Sequence, residues 1–164
     1  MQTLWVALIA AAAVAATAVA APPRPSVTLD CKAADPKAPI TVFNTGGRNM
    51  TLATFTLVGF AHLADPVGFR RFRRGGVYRI PTYAAVSGLD EVSVAARAGG
   101  AAGAFAFGPR RVAARVVTFV PCRGNDSAFA GEVIVPKPGC YTFAVQLGGD
   151  VFRRTVPLGV ARRC

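Results

Sequence analysis

Tyr141-Thr142-Phe143-Ala144-Val145-Gln146-Leu147 alternates throughout: Tyr, Phe, Val and Leu fall on one side, Thr, Ala and Gln on the other. Successive side chains of an extended chain point to opposite faces, so this period of two predicts a strand with one buried and one wet face. A helix would need apolar residues three and four apart, and that period is nearly absent from the chain. Pro136-Lys137-Pro138-Gly139 breaks the chain before this stretch and Gly148-Gly149-Asp150 follows it. Glycine at the tip of two β-prone runs makes a tight hairpin, so Val151–Leu158 is expected to return alongside.

The same logic extends outward. Short runs rich in Val, Phe and Thr, separated by Gly, Pro and Asn clusters, predict further strands near Val27–Cys31, Ile40–Phe43, Met50–Phe60, Val77–Ile80, Glu91–Ala96, Val112–Val120 and Glu132–Val135. Asn44-Thr45-Gly46-Gly47 marks a turn between two of them. Residues 95–115 have a Gly-Ala-rich centre and fit either a long loop or a short helix of small residues. About eight or nine short strands at this spacing imply an all-β fold, an immunoglobulin-like or related antiparallel β-sandwich. It is expected to occupy residues 27–164 as one domain, after a flexible Pro-rich lead-in over 21–26.

Every one of the 19 Lys+Arg and 8 Asp+Glu residues lies after Ala21. The apolar stretch Leu4–Ala20, closed by Ala18-Val19-Ala20, has the composition and small-x-small ending of a signal peptide. Cleavage after Ala20 keeps Pro22 off the new N-terminus, so residues 1–20 are expected to be removed and the protein secreted. The segment is also nearly long enough to span a bilayer and lacks a basic start, so an N-terminal membrane anchor stands as the alternative. The remaining chain, about 144 residues, is long enough to bury about two-thirds of its unfolded surface.

Four cysteines follow the export segment, Cys31, Cys122, Cys140 and Cys164, with no Cys-x-x-Cys among them. The one histidine, His62, is remote from all four, so metal is not expected and two disulfides are. Of the three connectivities, we favour Cys122–Cys140, joining the end of one strand to the start of another, with Cys31–Cys164 tying the first strand to the last residue.

An inventory of catalytic groups is short. His62 has no second histidine to share a metal with, Asp90-Glu91 point to opposite faces of a strand or sit in a turn, and no nucleophile elbow or phosphate loop is present. No cofactor and no enzymatic activity are expected. The net charge is +11, carried mostly by arginine, 16 residues against 3 lysines. Part of that bias fits the codons of a GC-rich bacterial genome.

The arginines nevertheless cluster: Arg70-Arg71-Phe72-Arg73-Arg74, Arg110-Arg111, Arg153-Arg154 and Arg162-Arg163. Guanidinium groups pair with phosphate and carboxylate. In an exported protein the partner would be an anionic envelope polymer or lipid surface rather than nucleic acid. The expected contact residues are Arg70, Arg71, Arg73, Arg74, Arg110, Arg111, Arg153 and Arg154. A plainer account of the same arginines is a solvated loop with charge-protected edge strands. A secreted ligand or inhibitor module that binds another extracellular protein is the alternative function, and a hydrolase the third.

The C-terminal third carries Thr118-Phe119-Val120-Pro121-Cys122, then Ala128-Phe129-Ala130-Gly131-Glu132, then Pro138-Gly139-Cys140-Tyr141, and ends Leu158-Gly159-Val160-Ala161-Arg162-Arg163-Cys164. This layout resembles uncharacterised secreted β-sandwich proteins of actinobacteria, which share a Pro-Cys strand end, a Pro-Gly-Cys strand start and a Gly-Ala-Arg-Cys terminus. The doubled arginine before the last cysteine departs slightly from that pattern. The resemblance implies export, a β-sandwich and paired cysteines, and brings no catalytic residue with it.

Overall fold

The structure, a computed structural model, describes residues 23–38, 48–60, 63–123, 126–161 and 163–164. In chain order these form β1 (Arg24–Leu29), β2 (Met50–Leu52), β3 (Phe55–Leu57), a one-turn helix α1 (Pro66–Phe69), β4 (Arg73–Arg74), β5 (Val77–Val86), β6 (Val92–Ala98), β7 (Ala101–Ala102), β8 (Ala104–Phe107), β9 (Ala114–Phe119), β10 (Ser127–Val135), β11 (Gly139–Leu147) and β12 (Asp150–Leu158). The expectations for Ile40–Phe43, the turn at 44–47, residues 1–20 and His62 lie outside the described residues.

One hydrogen-bonded path, β12-β11-β6-β9-β8-β10-β5-β3-β2, folds into two packed layers. Strands β12, β11, β6, β9 and β1 make one layer, and β8, β10, β5, β3 and β2 the other, joined at the bridge between Phe105 and Ala114. Among the described residues all pairings are antiparallel except β1 with β9, which is parallel. The fold is the expected all-β antiparallel sandwich with two disulfides.

The alternation of β11 becomes burial: Tyr141, Phe143 and Val145 are fully buried while Thr142 and Ala144 are only partly so. Phe119 of β9 lies at the centre of the core, its ring centroid 5.0 Å from Phe129, 5.5 Å from Phe107 and 5.7 Å from Phe55, all from the opposite layer. Such pairs add about 0.5–1.5 kcal/mol each beyond the burial of their surface.

Several elements differ from the sequence expectation. Strand β1 begins at Arg24, so half of the Pro-rich lead-in is held in the sheet by pairing with β9. The run Met50–Phe60 is not one strand but the tight hairpin β2–β3, reversed at Ala53, which takes φ +50°. Strand β5 continues through Pro81 to Val86. Pro81 lies between the residues that pair with β4 and those that pair with β3, where its missing N–H costs no bond on that side.

Strand β10 starts five residues before the expected Glu132, and residues 101–107 form β7 and β8 instead of a loop or helix. Glycine at 131 is required by the packing: a Cβ there would overlap the Phe107 ring and lie 2.6 Å from the Ala106 carbonyl oxygen.

The disulfide expectation is corrected. The bridges are Cys31–Cys122 (Cα–Cα 4.8 Å) and Cys140–Cys164 (Cα–Cα 5.7 Å), not Cys122–Cys140 and Cys31–Cys164. Strands β9 and β11 are both antiparallel to β6 and therefore run the same way. The end of β9 and the start of β11 then lie at opposite ends of the layer, roughly 30 Å apart at about 3.3 Å per residue over nine-residue β10. Each bridge instead closes one end of the sandwich.

Candidate functional site

The Arg70–Arg74 cluster is presented by a small anchored unit. Asp65 caps α1, its Oδ1 accepting from the Val67 N–H at 3.0 Å and its Oδ2 from the Gly68 N–H at 2.8 Å. A 3-10 turn over Arg70–Phe72 follows directly. Phe69 and Phe72 are three residues apart, one turn, so both rings point toward the sandwich. Phe69 is buried, stacked on Tyr78 at 4.8 Å and edge-on to Phe72 at 5.9 Å. Arg70 and Arg71, between the anchors, are left exposed.

Strands β4 and β5 then make a two-residue hairpin in which Arg73 pairs with Tyr78 and Arg74 with Val77. Gly75 and Gly76 at its tip take φ +54° and +83°, the left-handed pair that matches the twist of the strands and that side chains resist.

Arg71, Arg74 and Arg79 surround a surface depression of about 450 Å³, with Phe72, Pro81 and Glu132 completing it. Each of these arginines has a local restraint. The Arg71 guanidinium carbon sits 4.7 Å from the Phe72 ring centre, a cation–π contact. Arg74 Nη1 donates to the Arg73 carbonyl at 3.1 Å, and Arg79 pairs with Glu132 across the β5–β10 ladder. Glu132 neutralises one of the three positive charges, and among the described residues no carboxylate pairs with Arg71 or Arg74. Among the described residues Arg79–Glu132 is the one ion pair in a chain of net charge +11.

The other expected arginines are elsewhere. Arg110 and Arg111 lie in the exposed turn between β8 and β9. Arg110 lines a separate cleft of about 550 Å³ against β1, which also holds Lys32 and Asp30. Arg153 and Arg154 are exposed on the edge strand β12, paired with Ala144 and Phe143 and so pointing to opposite faces. The eight arginines therefore occupy three places, because β4 belongs to one layer, β12 edges the other, and the β8–β9 turn connects them. Arg79 and Glu132 were missed by sequence, since the partners are 53 residues apart and each stands alone in an apolar strand.

Asp90 and Glu91 lie exposed in the turn before β6, as expected. Asn49, in the sequence Asn49-Met50-Thr51, uses its side-chain oxygen to accept from the Gly59 N–H at 2.9 Å. Among the described residues no group of three or more His, Cys, Asp and Glu is placed to hold a metal ion. Burial pushes the Tyr141 hydroxyl above its ordinary pKa; that hydroxyl donates to the Lys137 carbonyl at 2.9 Å, a structural contact at the start of β11.

Two disulfides fit an oxidising, extracytoplasmic setting. Among the described residues no helix is long and apolar enough to cross a membrane. No protein-family model matches the chain, and neither a curated protein nor a solved structure is significantly similar to it.

Proposed function

We propose that this is an exported, non-catalytic β-sandwich protein that binds anionic components of a bacterial cell envelope, polymer or lipid head group, through the arginines of the 70–79 unit. The observation that carries this is the anchored presentation of that unit. Phe69 and Phe72 fasten the turn to the core while Arg71, Arg74 and Arg79 line one depression with a single carboxylate. Fixing the arginines by stacking and hydrogen bonding lowers the entropy lost on binding, which a solvated charge run would not do. The signal-like residues 1–20 and the two disulfides support the address.

The test is co-sedimentation with vesicles containing phosphatidylglycerol, compared with neutral vesicles, across ionic strength. Binding should be selective for the anionic vesicles and fall steeply from 0.1 M to 1 M salt, where the screening length drops from about 10 Å to about 3 Å. The variant R70S/R71S/R73S/R74S should lose most of it. Binding that ignores both salt and these substitutions would sink the proposal.

One feature favours the second reading, a module that grips another extracellular protein. Edge strand β12 leaves Val151 44% and Phe152 38% exposed, a strand edge suited to an extended partner.

A further inference from the structure

A second cleft lies in the other layer, away from the 70–79 unit. The hairpin β6–β7 turns at Gly99 and Gly100, both left-handed at φ +46° and +88°, and pairs Ala102 with Arg97. Further along the same edge of β6, whose opposite edge is taken by β11, Ala95 pairs with Val116 of β9, next to Arg115. Between the hairpin and β9 is a hollow of about 400 Å³ lined by Arg97, Arg115, Gly100, Ala101, Ala102 and Val116.

Both arginines are exposed, and no carboxylate lines the hollow. In this it differs from the depression at Arg71, which holds Glu132, and from the cleft at Arg110, which holds Asp30. Two guanidinium forks without an internal counter-ion favour a tetrahedral or planar oxyanion. The space is more than ten times a water's share of liquid, about 30 Å³, so it takes more than an inorganic ion. Its remaining wall is glycine, alanine and valine, with no ring on which a base could stack.

We propose that this cleft binds the phosphate ester of a small polyol or sugar, with Arg97 and Arg115 holding the phosphate. The glycerophosphate unit is the simplest such ligand, and it occurs both in polyol-phosphate polymers and in lipid head groups. The site lies on different strands from the 70–79 arginines and does not depend on them.

Titration of the ¹⁵N-labelled protein with sn-glycerol 3-phosphate, inorganic phosphate and glycerol tests it. The ester should saturate the protein, shift the amides of Gly100, Ala101 and Val116, and bind more tightly than inorganic phosphate, while glycerol alone should not bind. R97S/R115S should weaken the ester at least about tenfold, the loss of roughly one charge-assisted pair. R70S/R71S/R73S/R74S should leave it within about twofold, so failure here and failure of envelope binding are read separately. If R97S/R115S loses its native spectrum, R97K/R115K keeps the charge without the fork and should still weaken binding. A parallel arm with phosphatidylglycerol vesicles, run in the R70S/R71S/R73S/R74S background, identifies the source: residual binding that is lost on adding R97S/R115S assigns a lipid head group, and ester binding without residual vesicle binding assigns a soluble polymer. Unchanged ester affinity in both the Ser and the Lys variants, or shifts confined to other strands, would overturn the proposal.

Discussion

Leu29 and Phe119 are register partners at the ends of β1 and β9, two strands that run in the same direction. Parallel pairing delivers both chains to one end of the sandwich. Cys31 and Cys122, two and three residues further on, are then close enough to bond, and the Val120 N–H donates to the Leu29 carbonyl at 2.8 Å between them. At the other end, the β11–β12 hairpin sets Cys140 opposite Pro157, and the chain turns at Gly159 to bring Cys164 back.

Non-reducing peptide mapping should therefore recover Cys31 linked to Cys122 and Cys140 linked to Cys164. The bridges span 91 and 24 residues, so chain entropy assigns about 4.6 kcal/mol to the first and about 3.5 to the second. C31S/C122S should lower the urea midpoint more than C140S/C164S. A peptide joining Cys122 to Cys140 would contradict the strand directions described here.

Gly159 at φ +65° lies against the Phe69 ring, where a Cβ would overlap it, and its N–H donates to the Leu63 carbonyl at 2.6 Å. Gly159→Ala adds backbone strain and displaces the ring that anchors the arginine turn. Unfolding free energy should fall by about 2 kcal/mol or more, and anionic vesicle binding should weaken although no charge has changed. Normal stability in urea would show that Phe69 moves aside freely.

Glu132, its side chain 14% exposed, is the carboxylate that offsets Arg79 in the depression. Glu132→Gln keeps the shape and releases the charge. Vesicle affinity should rise by about fivefold at most, the equivalent of about 1 kcal/mol, while stability drops by a similar or smaller amount. Unaltered affinity at low salt would detach this depression from binding.

Tyr141 is buried, which raises its pKa above the ordinary value of 10.0. The folded state then keeps its proton where the unfolded chain gives it up. This contribution is fully present below pH 10 and is lost as pH climbs through the folded pKa. Urea unfolding should show stability falling from about pH 10 upward. Tyr141→Phe should flatten that part of the profile, while costing about 1 kcal/mol at neutral pH for the hydrogen bond to Lys137. An identical slope in the variant would place the alkaline loss elsewhere.

The legible parts of the sequence were those whose signals are local. Strand β11 alternates from Tyr141 to Leu147 and shares a glycine turn with β12, so period and turn agreed. Strand β8 was invisible because Ala104-Phe105-Ala106-Phe107 is buried on both faces, which removes the polar half of the alternation. The first half of β10 was hidden likewise, its Ser127, Ala128 and Phe129 all being buried. The expected strand Val77–Ile80 falls short of β5, which runs on through Pro81, tolerated because it sits in the gap between the residues that pair with β4 and with β3.

The same division holds for the site. Arg70, Arg71, Arg73 and Arg74 announce themselves by adjacency, while the anchoring of their turn by Phe69 and Phe72 shows only in the packing. That Arg79 and Glu132 join Arg71 and Arg74, and that Arg97 faces a cleft with Arg115, depends on register between strands far apart in sequence.

By itself the sequence determined the β class, the even set of cysteines and the excess of positive charge, because alternation, composition and turn residues act over a few neighbours. Strand order and direction were decided by tertiary structure alone. They follow from which apolar faces bury one another best, a property of the whole core around Phe119, and they in turn chose which cysteines meet and which arginines share a hollow.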